Sequence, residues 1–148
     1  MNDRYLYRAK RKNWRELPKE KWWVEGYYAY MQPYHYIMPK DNFDSWIEID
    51  EKTLCACTGL KDKHGKLIWE NDIVHNGNYF VVKWNLSCAR FDFALNNSHN
   101  IPVGRWEPMI IDWKNSDFKE YRNNIDFEVI GNIFDNPELL EIGKEVRE

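Results

Sequence analysis

No run in this chain is apolar over the roughly twenty residues that a membrane-spanning helix needs. The opening Met-Asn-Asp-Arg-Tyr also lacks the apolar core of a secretory leader, so the expected location is the cytosol of the cell that makes it. Cysteine is scarce and odd in number, with Cys55, Cys57 and Cys88 only. Such a set suits a reducing compartment and excludes a disulfide framework. Seven glycines and six prolines leave no low-complexity linker. Gly-x-Ser-x-Gly, His-Glu-x-x-His and the Walker glycine loop are all missing, so no standard catalytic signature argues for an enzyme.

An excess of positive charge is lacking too. Lys and Arg total 21 against 24 acidic residues, so no global basic field recruits nucleic acid. The distribution is uneven: residues 1–25 carry eight Lys/Arg against four acidic residues, and residues 112–148 carry five against ten. A basic arm for an acidic partner would read this way, as would two ends that attract each other.

What the chain has in abundance is aromatic residues: eight Trp, nine Tyr and seven Phe in 148 residues. Large flat side chains favour pleated, half-buried strands over a helical bundle, and 43% hydrophobic content is ample for a core. A mainly β fold is expected. "WWVEGYYAYM", residues 22–31, is the strongest strand signal, with Gly26 at its middle as a bulge or a point of close approach. Period two puts Trp22, Val24, Tyr28 and Tyr30 on one face and Trp23, Tyr27, Ala29 and Met31 on the other, both expected to be covered.

Shorter extended pieces surround it: Tyr5 to Arg8, "YHYIM" between Pro33 and Pro39, "DSWIEIDEKT" and "LCACTGL". "DIVHNGNYFVVKW" reads as a hairpin on a two-residue Asn76-Gly77 turn, which would set Val74 opposite Tyr79 and Ile73 opposite Phe80. "ARFDFAL" alternates Phe91 and Phe93 on one side, "PMII" is a short apolar piece, and "DWKNSDFKEYRNN" is polar enough for an exposed loop or helical turn. "IDFEVIGNIF" is a further strand, with Phe127, Val129 and Gly131 alternating against Glu128, Ile130 and Asn132. Beyond it Asn136, Pro137 and Glu138 are the expected cap and first turn of a short helix carrying Leu139, Leu140 and Ile142.

"TGLKDKHGKLIWENDIV", Thr58 to Val74, gathers lysines, aspartates, a histidine and a glycine in the manner of a phosphate cradle or catalytic site. A phosphate loop would need to run into a helix, and no helical pattern follows. Turn chemistry accounts for the same residues: Asp62 and Gly65 occupy the first and last positions of a type I turn, with Gly65 in the left-handed place of a hairpin bulge. Asn71 can take a left-handed conformation, leaving Asp72 to bond neighbouring amides. A hydrolase-like alternative would pair Asp72 with His64 or His75. Cys55 and Cys57 point to one face of a strand and could edge a metal site with Cys88, but zinc knuckles use CxxC, so no metal and no cofactor is expected.

The basic residues of the N-terminal segment followed by its paired tryptophans suggest a single-stranded nucleic-acid module, with Arg11, Lys12 and Lys21 on phosphates and Trp22 and Trp23 as stacking platforms. Against it stands a core or protomer interface, where Trp and Tyr are also favoured.

Two motifs together, T-G-L-x-D-x-x-G-K-x-I with a following D-I-V, and V-I-G-N-I with N-P-E-L-L, resemble those of the YopX family of phage- and prophage-encoded proteins. The likeness reaches more weakly to "WWVEGYYAY" and "IEIDEKTLCACTGL". Asn71 stands where the family usually has Gly. The resemblance implies an N-terminal aromatic β segment, residues 1–52, packed with an SH3-like barrel and short C-terminal helix over 53–148. It implies no catalytic residues. The expected role is therefore that of a non-catalytic accessory or binding protein in a bacterial host cell. It would act on an unknown protein partner or assemble with itself, with nucleic acid the second choice and no membrane involved.

Overall fold

In the computed structural model the described residues are 3–77, 79–87, 89–95, 99–102 and 127–140. The chain is mainly β. Its eleven strands are β1 Tyr7–Lys10, β2 Trp23–Met31, β3 Tyr34–Pro39, β4 Ile47–Glu48, β5 Cys55–Lys61, β6 Leu67–Trp69, β7 Asp72–His75, β8 Tyr79–Asn85, β9 Arg90–Leu95, β10 His99–Pro102 and β11 Glu128–Asn132. They divide between two compact units, Met1–Gly59 and Leu60–Glu148. The expected pieces "PMII" and "DWKNSDFKEYRNN" lie outside the described residues, as do Ile142 and the chain beyond it.

The first unit is built on strand order β4-β3-β2-β1-β5, and the last two residues of β5, Leu60 and Lys61, belong with β6 to the second unit. Tyr7 faces Gly26 and Lys10 faces Trp23 across β1 and β2, so the first strand extends two residues past the expected Arg8. Gly26 makes no bulge. Its pairing with Tyr7 and Pro39 is continuous, and a side chain there would overlap the Met38 carbonyl, so close approach is why the position is glycine. Ala9, Val24, Ile37 and Ile49 form the core on one face, with Tyr7, Tyr28, Ile47 and Leu54 packed around them. Alternation then sends Arg8, Lys10, Trp23, Glu25, Tyr27, Tyr36 and Glu48 to the other face.

The second unit is a meander, β7-β8-β9-β10, with β11 returning beside β7. Ile68, Val74, Phe80, Val82, Phe93, Phe127 and Val129 make its core, with the Phe127 ring 4.1 Å from Phe93 at a tilt of 33° and edge-on 5.3 Å from Phe80. Among the described residues the strand pairings do not close into a barrel.

The β7–β8 register differs by one residue from that expected. His75 faces Tyr79, Val74 faces Phe80 and Ile73 faces Val81, so three residues rather than two form the loop. Of the Asn76-Gly77 pair only Gly77 takes a positive φ, whereas a type I′ turn needs both. Burial decides the register: Val74 opposite Phe80 keeps two buried side chains on the core face, and a one-residue slip would turn one of them out.

β11 carries an irregularity between Val129 and Gly131, which leaves Ile130 outside the ladder and restarts the alternation. Asn132 is consequently buried, and its side chain accepts the amides of Phe134 and Asp135 at 3.0 and 2.9 Å. Residues 138–140 form the one α-helical turn among the described residues, begun by the carbonyls of Asn136 and Pro137. The Asn136 side chain turns back to accept the Asn132 amide at 3.3 Å, over a Gly131 that leaves no room for a Cβ.

Candidate interaction surface

Asp62 is buried in the β5–β6 turn. Its Oδ1 accepts the amides of His64 and Lys66, both at 2.9 Å, and its Oδ2 accepts the amide of Val129 at 2.9 Å. Burial pushes its pKa up, but the three amides and nearby His64 outweigh that and hold it below the ordinary carboxylate value. Gly65 has φ +83° and donates its amide to the Asp62 carbonyl, completing the expected turn. Asn71 sits at φ 70°, and Asp72, almost fully buried, accepts the Trp69 amide at 2.8 Å. Near the aspartates, the His64 imidazole is 3.5 Å from Glu128, and the His75 ring packs on Tyr79. These residues organise turns.

Cys55 and Cys57 are buried. The Cys55 thiol donates to the Thr53 carbonyl at 3.2 Å, and burial raises the pKa of Cys57. Cys88 lies outside the described residues, and the described ones contain no cluster of three metal-ligating side chains.

The basic N-terminal segment folds as two 3-10 turns, Trp14–Glu16 and Lys19–Lys21, laid over the outer face of the first sheet. Beneath them Lys10 is only 2% exposed, with its ammonium 3.8 Å from the Trp14 ring centre, 4.3 Å from Trp22 and 5.6 Å from Trp23. Attraction between the cation and the ring faces, strengthened by burial, holds the tryptophans together. Trp14 meets Trp22 edge-on at 4.8 Å, and the Trp22 indole N–H donates to the Leu17 carbonyl at 2.9 Å. The Arg8 guanidinium lies 4.9 Å from Trp23. Both expected platforms, Trp22 and Trp23, are therefore half-buried with cations from this same chain against their rings. Arg11 donates to the Lys21 carbonyl, while the Lys12 and Lys21 side chains are exposed. Lys10 is the residue that the sequence reading misses, because the strand expected to end at Arg8 continues to Lys10 and carries its side chain in among the tryptophans.

The open rings lie elsewhere. Strand β2 is not covered on both faces as expected: Tyr30 and Met31, at its end, are 55% and 58% exposed. Beside Met31 in the β2–β3 pairing stands Tyr34, and Phe43 and Trp46 lie against outer-face rings of the same sheet, the three exposed by 51, 55 and 46%. Ring contacts gather them in two groups on this face, one with Tyr34 6.4 Å from Tyr36 and Tyr36 5.7 Å from Trp46, the other with Phe43 5.8 Å from Tyr27. On the core side of the same hairpin, the His35 Nδ1 is 2.6 Å from the Tyr28 hydroxyl and its Nε2 is 2.7 Å from Glu51. Burial first, and then the charges of Tyr30, Glu51 and Tyr7, raise the pKa of Tyr28, so this phenol stays protonated. The network fastens the hairpin to the 3-10 turn Glu51–Thr53.

Every demanding backbone position of the two sequence motifs thus has a structural occupant, from Asp62 and Gly65 to Gly131, Asn132 and Asn136. The model of the YopX protein family matches residues 6–141. The chain belongs to the YopX family. Its membership spans both compact units. No curated protein matches the chain.

Proposed function

We propose that this YopX protein is a non-catalytic binding protein that docks a polypeptide on the outer aromatic face of its first sheet. The carrying observation is the set of exposed residues Met31, Tyr34, Phe43 and Trp46 on one face, with Phe43 against half-buried Tyr27 and with Tyr34 and Trp46 against half-buried Tyr36. Clustered, rather than scattered, exposed rings mark interaction sites, and Tyr, Trp, Phe and Met are the residues enriched at the centres of interfaces. Rigid rings also lose little conformational entropy on docking.

The finer elements of the proposal follow the family likeness. The second unit is read as SH3-like, supported by five strands in which a four-strand meander is completed by a last strand lying beside the first. The setting is a phage or prophage protein in the cytoplasm of a bacterial host, in keeping with free cysteines and with the lack of any described helix long and apolar enough to cross a membrane.

The test is comparative capture from host cells with the wild type and a Phe43→Ser/Trp46→Ser variant. The proposal expects a polypeptide bound by the wild type and lost with the variant at unchanged thermal stability. Identical captured sets would contradict it.

A further inference from the structure

The aromatic face is not electrically neutral. Asp41 and Asp44 flank Phe43 and are exposed, Glu48 lies opposite Tyr36, and Glu25 shares the face two residues before Tyr27. The cations beside them are Lys40, 3.9 Å from Glu25, and Arg8, opposite Glu25 across β1 and β2 with its guanidinium against Trp23. Carboxylates interleaved with open rings repel phosphate backbones and attract ammonium and guanidinium groups, which gain both an ion pair and a ring contact.

The opposite charge lies next door on the same chain. The two 3-10 turns and the loop that leads into them present exposed Lys12, Arg15, Lys19 and Lys21 against Glu16 and Glu20. They begin beside the acidic region, since the Lys12 amide donates to the Glu48 carbonyl at 3.0 Å and Arg11 bridges to Ile49. Both regions sit on the outer face of one sheet, because Lys10 and Trp23, which underlie the basic turns, share the face of Tyr36 and Glu48.

A surface with positive and negative regions side by side is complementary to itself under a two-fold rotation, which brings each region onto its opposite twice. Resting on the reading of the aromatic face as a docking surface, we propose that its occupant is a second copy of this chain. The basic turns of each copy, Lys12 to Lys21, lie across Phe43, Trp46, Asp41, Asp44 and Glu48 of the other. Two equivalent contacts close the pair as a dimer. Lys and Arg stems cover the rings while their charges reach the carboxylates.

Sedimentation of the full chain tests this with two charge reversals, Lys12→Glu/Lys19→Glu/Lys21→Glu and Asp41→Lys/Asp44→Lys/Glu48→Lys. The expected results are a wild-type dimer that weakens as salt rises and at least roughly tenfold weaker association for each triple variant. An equimolar mixture of the two variants should regain the dimer, because its charges are again complementary. Recovery in the mixture also shows that both variants are folded. A wild type that stays monomeric at low salt, a dimer indifferent to both reversals, or a mixture that fails to pair would overturn the proposal. If the wild type is monomeric yet the Phe43→Ser/Trp46→Ser variant loses a captured polypeptide, the self-pairing fails while the docking surface stands.

Discussion

Asp62 and Val129, 67 positions apart in sequence, are joined by a 2.9 Å hydrogen bond from the Val129 amide to the Asp62 carboxylate. The same carboxylate holds the turn between β5 and β6 through two further amides. One side chain thereby fixes a local turn and ties it to β11, the strand bearing the second family motif.

Replacing Asp62 by Ala leaves three backbone amides without this acceptor. Hydrogen bonds to a charged group contribute about 1.5–3 kcal/mol each, and the losses overlap because the amides share one carboxylate. The expected destabilisation is about 3 kcal/mol, read from the urea midpoint.

The pH dependence has a definite sign. Because folding holds the Asp62 pKa below its unfolded value of roughly 3.9, its contribution is fully present above that value and is lost as pH falls through the lower folded one. Urea midpoints measured between neutral pH and pH 3 should fall for the wild type and fall less steeply for Asp62→Asn. Parallel curves would remove the carboxylate from the account.

Asn71 tests the left-handed turn. Gly at this position keeps the φ of 70° without strain, whereas Ala does not. Asn71→Gly should stay within roughly 0.5 kcal/mol of the wild type and Asn71→Ala should cost about 1 kcal/mol, both by denaturant unfolding.

How far could this have been seen in the sequence? Asp62, Gly65, Asn71 and Asp72 were legible because turns are local and each backbone conformation demands few residue types. Most strands followed from aromatic runs and period-two alternation, but β6 and β10, which carry neither signal over more than a few residues, did not. The hairpin register was not legible, since Asn-Gly suits a two-residue turn until the burial of Val74 and Phe80 sets the pairing. Nor was the division of the rings. Trp22 and Trp23 pack with Lys10 while Phe43 and Trp46 stay open, and this depends on non-local contacts that composition does not encode.

Lys10 supplies a further prediction. Lys10→Met keeps most of the buried stem but removes the charge from Trp14 and Trp22, with an expected cost of about 1–2 kcal/mol and a changed tryptophan fluorescence spectrum. A variant with wild-type stability and spectrum would show that the cation does not hold the cluster.

Single-stranded DNA titrated at low salt addresses Arg11, Lys12 and Lys21 together with Trp22 and Trp23. With the indoles already engaged by this chain's own cations, no binding that falls steeply with salt is expected. Binding abolished by changing Arg11, Lys12 and Lys21 to Ala would reinstate the nucleic-acid reading.

The most direct measurement places a photo-crosslinking phenylalanine derivative at Trp46 and, separately, at Leu86, which is 84% exposed and lies in the second unit. Irradiation in the host cell should yield a discrete polypeptide adduct from position 46, whether a second copy or another protein, and none from position 86. No adduct at 46, or the same adducts from both positions, would contradict the aromatic face as the working surface of this protein.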